Sequence, residues 1–436
     1  MRPTPNSQTT HSTEPTLVLG GGFTGLFAAL SLSRKQYSRS VTLIDRQERF
    51  TFQPLLYELL SGETISYQAN PRYRDLLAKS QVQFLQDTVE TIDLDRKCVQ
   101  LQSGQSCNYG NLVLALGSTV NYFGIPGAQE QALPFRTADH ARRVSQILRE
   151  RLREASETVA PDRRQALLTF AIAGAGPAGV ELGVTLADLV PGWYAGLGGN
   201  PAEIRIVMLE LQDTILPGPM TEALRKLATE ALTKRSNPVE LRLGTAVGAV
   251  TAEQITLKTP AGAEDLAAAT LLWTAGAKVH PLVKELAIPA EKRDRGGRLQ
   301  VSPTLQLLDY PEVFVGGDCA ATEPSFPPLA QVAYQQGQTI ANNLVALDKG
   351  EELEAAQVTL RGSLLKLGLG KSAANLFDRL AITGKPGYLI RLGTYLTLLP
   401  TPGHNLKALG GWMFDEVYIP LTERLRRNRK KTMSKS

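Results

Sequence analysis

The chain is poor in the residues that build stapled or metal-bound proteins. Three cysteines (Cys98, Cys107, Cys319) and four histidines occur in 436 residues. Three thiols leave no disulfide framework and fit a reducing compartment. The histidines (His11, His140, His280, His404) have no metal-ligand spacing, so no metal is expected. No run of about 18 apolar residues lacks charge, which excludes a spanning helix. The first fifteen residues are polar and proline-bearing, with no apolar segment of the secretory kind. Residues 1–14 read as a flexible tail. What remains is ordinary globular composition, 43% hydrophobic and 20% charged, enough for two or three domains.

Charge is unevenly placed. The whole chain carries 47 basic and 42 acidic residues. Residues 361–436 hold 14 basic against 4 acidic residues, leaving 33 against 38 in the rest. A near-neutral to acidic body followed by a basic segment points to an anionic surface as partner.

Two stretches share one pattern. Thr16-Leu17-Val18-Leu19 runs into Gly20-Gly21-Gly22-Phe23-Thr24-Gly25, and Leu168–Ala173 runs into Gly174-Ala175-Gly176-Pro177-Ala178-Gly179. Each is a short apolar strand, a G-x-G-x-x-G turn and a small-residue helix start. Each is followed by a second apolar strand ending in an acid, Val41–Ile44 into Asp45 and Ile204–Leu209 into Glu210. The first glycine makes the tight turn, the second admits a pyrophosphate, and the third lets helix pack on strand. The anion then sits on a helix N-terminus, and the acid accepts from ribose hydroxyls. One such turn is common in α/β proteins; two complete units are not.

Other segments fit this frame. Residues 96–116 read as a small β-meander ending at Gly117, and Leu271–Ala275 ends at Gly276 in the same way. Apolar spacing predicts helices over 141–156, 220–235 and 329–344. Val313–Gly317 reads as a buried strand ending at Asp318, with Pro324, Pro327 and Pro328 in the loop after it.

These features together resemble the flavoproteins with two dinucleotide-binding domains. Phe52-Gln53-Pro54-Leu55-Leu56-Tyr57, Gly174–Glu181 and Ala330-Gln331-Val332-Ala333-Tyr334-Gln335 are similar to motifs of the type II NAD(P)H:quinone oxidoreductases, over about residues 15–345. The resemblance implies an α/β fold with two Rossmann-like domains of the flavin-dependent disulfide-reductase-like type, plus a C-terminal membrane-associating segment. The expected boundaries are 15–125 with 295–345 for FAD, 126–294 for NAD(P)H, and 346–436 for membrane association and the quinone site. FAD contacts carry over to Gly20, Gly22, Gly25, Asp45 and Asp318, with Gln53, Leu55 and Gly117 nearby. Nicotinamide-nucleotide contacts carry over to Gly174, Gly176, Gly179, Glu210 and Gly276. Glu181 is implied at the nicotinamide or quinone edge, and Gln331 and Gln335 at the quinone. Without the resemblance, Glu181 reads as a capping acid in its helix's first turn and the glutamines as a solvated helix face.

The resemblance implies hydride transfer from NAD(P)H to FAD and onward to a membrane quinone. The segments 387–392 and 402–407 are similar to cyanobacterial and plastid members that reduce demethylphylloquinone; plastoquinone is the other quinone considered. The expected location is the cytoplasmic side of a membrane, thylakoid or plasma membrane for a cyanobacterial chain, and a homodimer is allowed. Disulfide reductases of this fold need paired cysteines beside the flavin, and this chain has Phe50–Tyr57 there instead. Glu210 favours NADH by repelling a 2′-phosphate, whereas resemblance to the cyanobacterial and plastid branch implies NADPH, so the expected donor is NAD(P)H.

Leu389, Leu392, Leu396 and Leu399 fall on one helix face, with Tyr388 and Tyr395 beside them. Trp412, Phe414, Tyr418 and the cluster Arg424, Arg426, Arg427, Arg429, Lys430 and Lys431 follow. An apolar stripe beside basic residues reads as a monotopic membrane contact, each cation adding about 1 kcal/mol at an anionic surface. A core helix with a solvated tail is the plainer alternative. No nucleic-acid fold motif accompanies the charge, so nucleic acid is not an expected partner. A nucleotide-binding redox sensor or interaction protein, and a same-fold flavoenzyme with a protein acceptor, stay open at this point.

Overall fold

A computed structural model describes residues 14–400, apart from residues 65, 219, 361 and 377–379. The expected tail, the 402–407 motif and the aromatic and basic residues from Trp412 onward lie outside the described residues.

The chain divides into two compact units. The first comprises residues up to Phe50, Pro71–Thr119 and Lys278–Leu360; the second comprises Thr51–Asn70, Val120–Ala277 and the chain from residue 361 onward. This differs from the expected boundaries: residues 278–294 and 346–360 join the first unit, and two further segments join the second. Thr51–Asn70 groups with the second unit, because Leu56, Tyr57 and Leu60 bury in that unit's core. The C-terminal segment is no separate piece: Leu365, Leu367 and Ala373 enter the same core.

The two units are built on one plan. The first has a six-stranded sheet in the order Gln306–Leu307, Tyr310–Val315, Asn111–Leu114, Thr16–Leu19, Val41–Asp45, Val82–Gln86. All neighbours are parallel except the first pair. The second has a parallel sheet in the order Val239–Arg242, Arg205–Leu209, Thr169–Ala173, Thr270–Trp273, Leu133–Pro134. In each, the glycine-turn strand lies centrally, with the acid-ending strand on one side and a later return strand on the other. A parallel sheet is covered on both faces, so its strands carry continuous apolar runs. Thr16–Leu19, Thr169–Ala173 and Thr270–Trp273 are buried at every residue.

An antiparallel meander precedes each return strand, residues 89–108 in the first unit and 246–267 in the second. Asn111–Leu114 was expected inside the first meander. It lies instead in the parallel sheet, with Val89–Asp93 as the missing meander strand. All four of its residues are buried, which a two-sided sheet satisfies and a solvated meander does not.

The expected helices form as Ala138–Glu157, Glu222–Thr233 and Ala330–Lys349. In the second unit Ser363–Gly368, Lys371–Leu376 and Leu380–Ile382 make a three-stranded antiparallel sheet, and the helix Gly384–Leu398 packs on it. That helix buries Tyr388, Arg391, Leu392 and Tyr395 and leaves Leu389 60% exposed. The expected four-leucine stripe is therefore divided, with Leu392 and Leu399 inside and Leu389 outside. Among the described residues no helix is long and apolar enough to cross a membrane.

Candidate nucleotide turns and a buried carboxyl cluster

The two glycine turns share the same backbone bonds and close approaches. Gly20 (φ +96°) and Gly174 (φ +98°) adopt left-handed backbone that favours glycine. Their N–H groups donate to Ile44 at 2.9 Å and Leu209 at 2.8 Å on the acid-ending strands. A Cβ on Gly25 would stand 1.9 Å from the Gly20 carbonyl oxygen, and one on Gly179 1.8 Å from that of Gly174. Any side chain at the third glycine would thus push helix from strand. The second glycines differ: a Cβ on Gly22 or Gly176 would meet nothing within 4 Å. Each is the N-cap of its helix, Phe23–Arg34 and Pro177–Ala195, and neither helix has a side-chain cap. Uncapped helix N–H groups beside open space form a slot for a phosphate anion.

The acids take equivalent places. Asp45 accepts from Gly21 N–H at 2.6 Å and Gln47 N–H at 2.7 Å. Glu210 accepts from Ala175 N–H at 2.7 Å and Gln212 N–H at 3.0 Å. Burial raises the Asp45 carboxyl against the pull of its two backbone donors. Each acid therefore sits beside its own turn, with lone pairs left for ribose hydroxyls. Two residues not anticipated from sequence brace these turns: the Tyr73 hydroxyl donates to Gly21 at 2.8 Å, and Thr274 to Ala173 at 2.8 Å.

Asp318 was expected as the last residue of a strand. The strand ends at Val315, and Asp318 lies in the 3-10 turn Gly317–Cys319, where Ser118 donates to it at 2.6 Å. Gly317 and Asp318 line a pocket with Phe326, Val332, Ala333 and Gln336. Gln336, absent from the sequence reading, accepts from Gly317 N–H at 2.7 Å. Cys319 is buried and its thiol is pushed up to about 12 by burial, so it stays protonated at neutral pH. Gly117 and Gly276 both adopt positive φ at the ends of their strands.

Gln331 and Gln335 lie on the helix Ala330–Lys349. The Gln335 side-chain amide is committed to the backbone: its nitrogen donates to Gln331 at 2.9 Å and Thr359 at 3.1 Å, and its oxygen accepts from Thr359 N–H at 3.0 Å. Gln53 and Leu55 form a single 3-10 turn of the second unit, Leu55 buried and Gln53 exposed.

Glu181 is the fifth residue of its helix, past the first turn, and does not cap it. It enters a buried cluster within the second unit. Its Oε1 accepts from Lys366 N–H at 2.8 Å and lies 3.9 Å from Arg391, and the Tyr57 hydroxyl donates to it. Glu58 accepts from the Lys366 ammonium at 3.1 Å and from the Arg391 guanidinium. Lys366 also meets Glu63 at 2.5 Å, and Arg391 donates to Pro54 at 2.9 Å and the Tyr395 hydroxyl at 3.0 Å. Lys366 and Arg391 side chains are wholly buried. Burial raises Glu58, but Arg391 and Lys366 outweigh it and bring the group to about 2. Burial dominates at Glu181 and raises it to about 7. Three acids face two cations here, and Glu181 is the acid that holds a proton near neutrality.

Glu58, Lys366 and Arg391 were missed in sequence. Each stands alone in an apolar run, LLYELL, SLLKLGL and YLIRLG. A lone charge in such a run is buried only with a partner, and the runs carry opposite signs. Their sequence separation of about 300 residues hid the pairing.

Chains of this construction are dinucleotide-binding oxidoreductases, and the pyridine nucleotide-disulphide oxidoreductase family matches residues 15–337. The chain belongs to that family and, within it, to the type II NADH:quinone oxidoreductases. It is 32% identical to the type II NADH:quinone oxidoreductase Ndh of Mycobacterium tuberculosis, over 91% of this chain and 86% of that one. It is 30% identical to the demethylphylloquinone reductase NdbB of Synechocystis, over 92% and 97%. The fold is also that of NDH2 from Plasmodium falciparum in complex with NADH, with TM-score 0.82 and 18% identity over 93% and 99% of the two chains.

Proposed function

We propose that this protein is an FAD-dependent NAD(P)H:quinone oxidoreductase working at a membrane surface. The observation that carries the reading is the pair of uncapped helix starts at Gly22 and Gly176, each with open space where a side chain would stand. Bound FAD supplies the two-electron exchange between nicotinamide and quinone. Gly20, Gly22 and Gly25 hold the FAD pyrophosphate, Asp45 its ribose and Asp318 its ribityl chain, with Gln53, Leu55 and Gly117 as further FAD contacts. Gly174, Gly176 and Gly179 hold the nicotinamide nucleotide, with Glu210 on its ribose and Gly276 beside it. Glu181 holds or releases a proton at its carboxyl group. Gln331 and Gln335 lie at the quinone, with the Gln335 amide bonded to Thr359.

The purified protein should be yellow. NADH under argon should bleach it, and a quinone should restore the colour. Absence of flavin after reconstitution, or bleaching that no quinone reverses, overturns the reading. The name of the Synechocystis relative supports demethylphylloquinone as acceptor; comparing turnover on short-chain analogues of demethylphylloquinone and plastoquinone decides between them. The basic C-terminal segment supports docking on an anionic bilayer at the cytoplasmic side, checked by flotation with vesicles of defined anionic lipid content. The family resemblance supports a homodimer, checked by light scattering.

A further inference from the structure

The cluster around Glu181 contains more charge than a proton-exchanging acid needs. Glu181 is faced by Tyr57 and Glu58 from the helix Leu56–Ser61, by Lys366 from the strand Ser363–Gly368, and by Arg391 and Tyr395 from the helix Gly384–Leu398. Glu63 reaches the cluster through Lys366. Lys366 bonds Glu181 through its backbone N–H, and its ammonium, bonded to Glu58 and Glu63, also favours the charged form of Glu181. The other two charges that act on Glu181 are Arg391, the strongest of the three, and Glu58. They are bonded to each other, and Arg391 is held in place by Pro54 and Tyr395.

We propose that Glu58 and Arg391 are positioning residues for the Glu181 carboxyl: as a fixed ion pair beside it, they set whether Glu181 is charged or neutral at working pH. The inference rests on the reading of Glu181 as the proton-exchanging group. The two partners act in opposite directions. The Glu58 carboxylate disfavours a second negative charge next to it, and the Arg391 guanidinium favours one. Bonded together, they act on Glu181 with opposite sign, and burial, the largest influence, raises it toward neutrality. Arg391 cannot lose its own proton, so the balance does not drift with pH.

The test reads Glu181 directly. Infrared pH titration follows the protonated-carboxyl band that disappears in Glu181→Gln, in the full-length flavin-loaded protein. In Glu58→Gln the band should titrate about one pH unit lower, and in Arg391→Met about one unit higher. The double variant Glu58→Gln with Arg391→Met should return toward the parent value. Arg391→Lys should lie between parent and Arg391→Met. A packing defect has no reason to move one group in opposite directions and then cancel. Single variants bury an unmatched charge, so the double variant, which buries none of the pair, guards against loss of folding. Shifts of one sign in both single variants, or no shift in the double relative to either single, overturn the proposal. The pH profile of quinone reduction should follow the band. If the band moves as expected while Glu181→Gln turns over like the parent at every pH, the catalytic reading of Glu181 is what falls.

Discussion

The Lys366 backbone N–H donates to Glu181 at 2.8 Å while its side-chain ammonium serves Glu58 and Glu63. One residue thus orients the acid through its main chain and neutralises other acids through its side chain. Lys366→Met keeps the first role and removes the second. It should cost about 3–5 kcal/mol, the penalty of a buried charge left unmatched, measured by urea unfolding. A cost below about 1 kcal/mol would show that the ammonium is not buried among these carboxylates.

Stability should depend on pH through the two coupled acids. Glu58 titrates at about 2 when folded against an ordinary 4.5, so its contribution is present above 4.5 and lost as pH falls toward 2. Glu181 is the reverse: raised to about 7, its contribution is present below 4.5 and lost as pH rises through 7. The parent should therefore lose stability, on the order of 3 kcal/mol, between pH 4.5 and 7 relative to Glu181→Gln. Parallel stability curves for the two proteins would contradict the assignment.

Second and third glycines should behave differently. A Cβ at Gly22 or Gly176 meets nothing within 4 Å, so Gly22→Ala and Gly176→Ala should both fold with near-parental unfolding midpoints. The first should lose flavin, and the second should keep its colour but need far more NADH for bleaching. Gly25→Ala and Gly179→Ala collide with a carbonyl below 2 Å and should be destabilised before any ligand is considered. Thermal melts with and without added FAD separate the cases.

Glu210 sits beside its glycine turn, bonded to Ala175 and Gln212 N–H, and is proposed to meet the nucleotide ribose. Glu210→Gln removes the charge that repels a 2′-phosphate and should raise the NADPH:NADH ratio of kcat/KM by about tenfold, or about 1.4 kcal/mol. An unchanged ratio would remove Glu210 from nucleotide selection.

Membrane docking is best tested by removing residues 401–436. A cut at 388 would also extract Arg391 from the buried cluster and confound the result. The shorter truncation should keep its unfolding midpoint and lose retention on anionic vesicles. Leu389→Ser, on the exposed side of its helix, should weaken retention without changing stability.

The paired nucleotide turns were legible because every part is local: strand, glycines, helix start and acid fall within about 45 residues, and the first and third glycine of each turn have a steric reason to be there. The C-terminal helix was misread for an equally physical reason. Periodicity reports which residues share a face, not what that face meets, and the sheet beneath took Leu392, Tyr388 and Tyr395 while leaving Leu389 outside. Likewise the Gln331–Gln335 spacing was correct, but only the fold brings Thr359 onto Gln335.

By itself the sequence determined two dinucleotide-binding units and the acid at the end of each second strand, since backbone sterics and helix-end charge act over a few residues. Only the tertiary structure decided the state of Glu181. That depends on Glu58, Lys366 and Arg391 meeting it away from water, and burial turns those contacts between distant residues into control of a single proton.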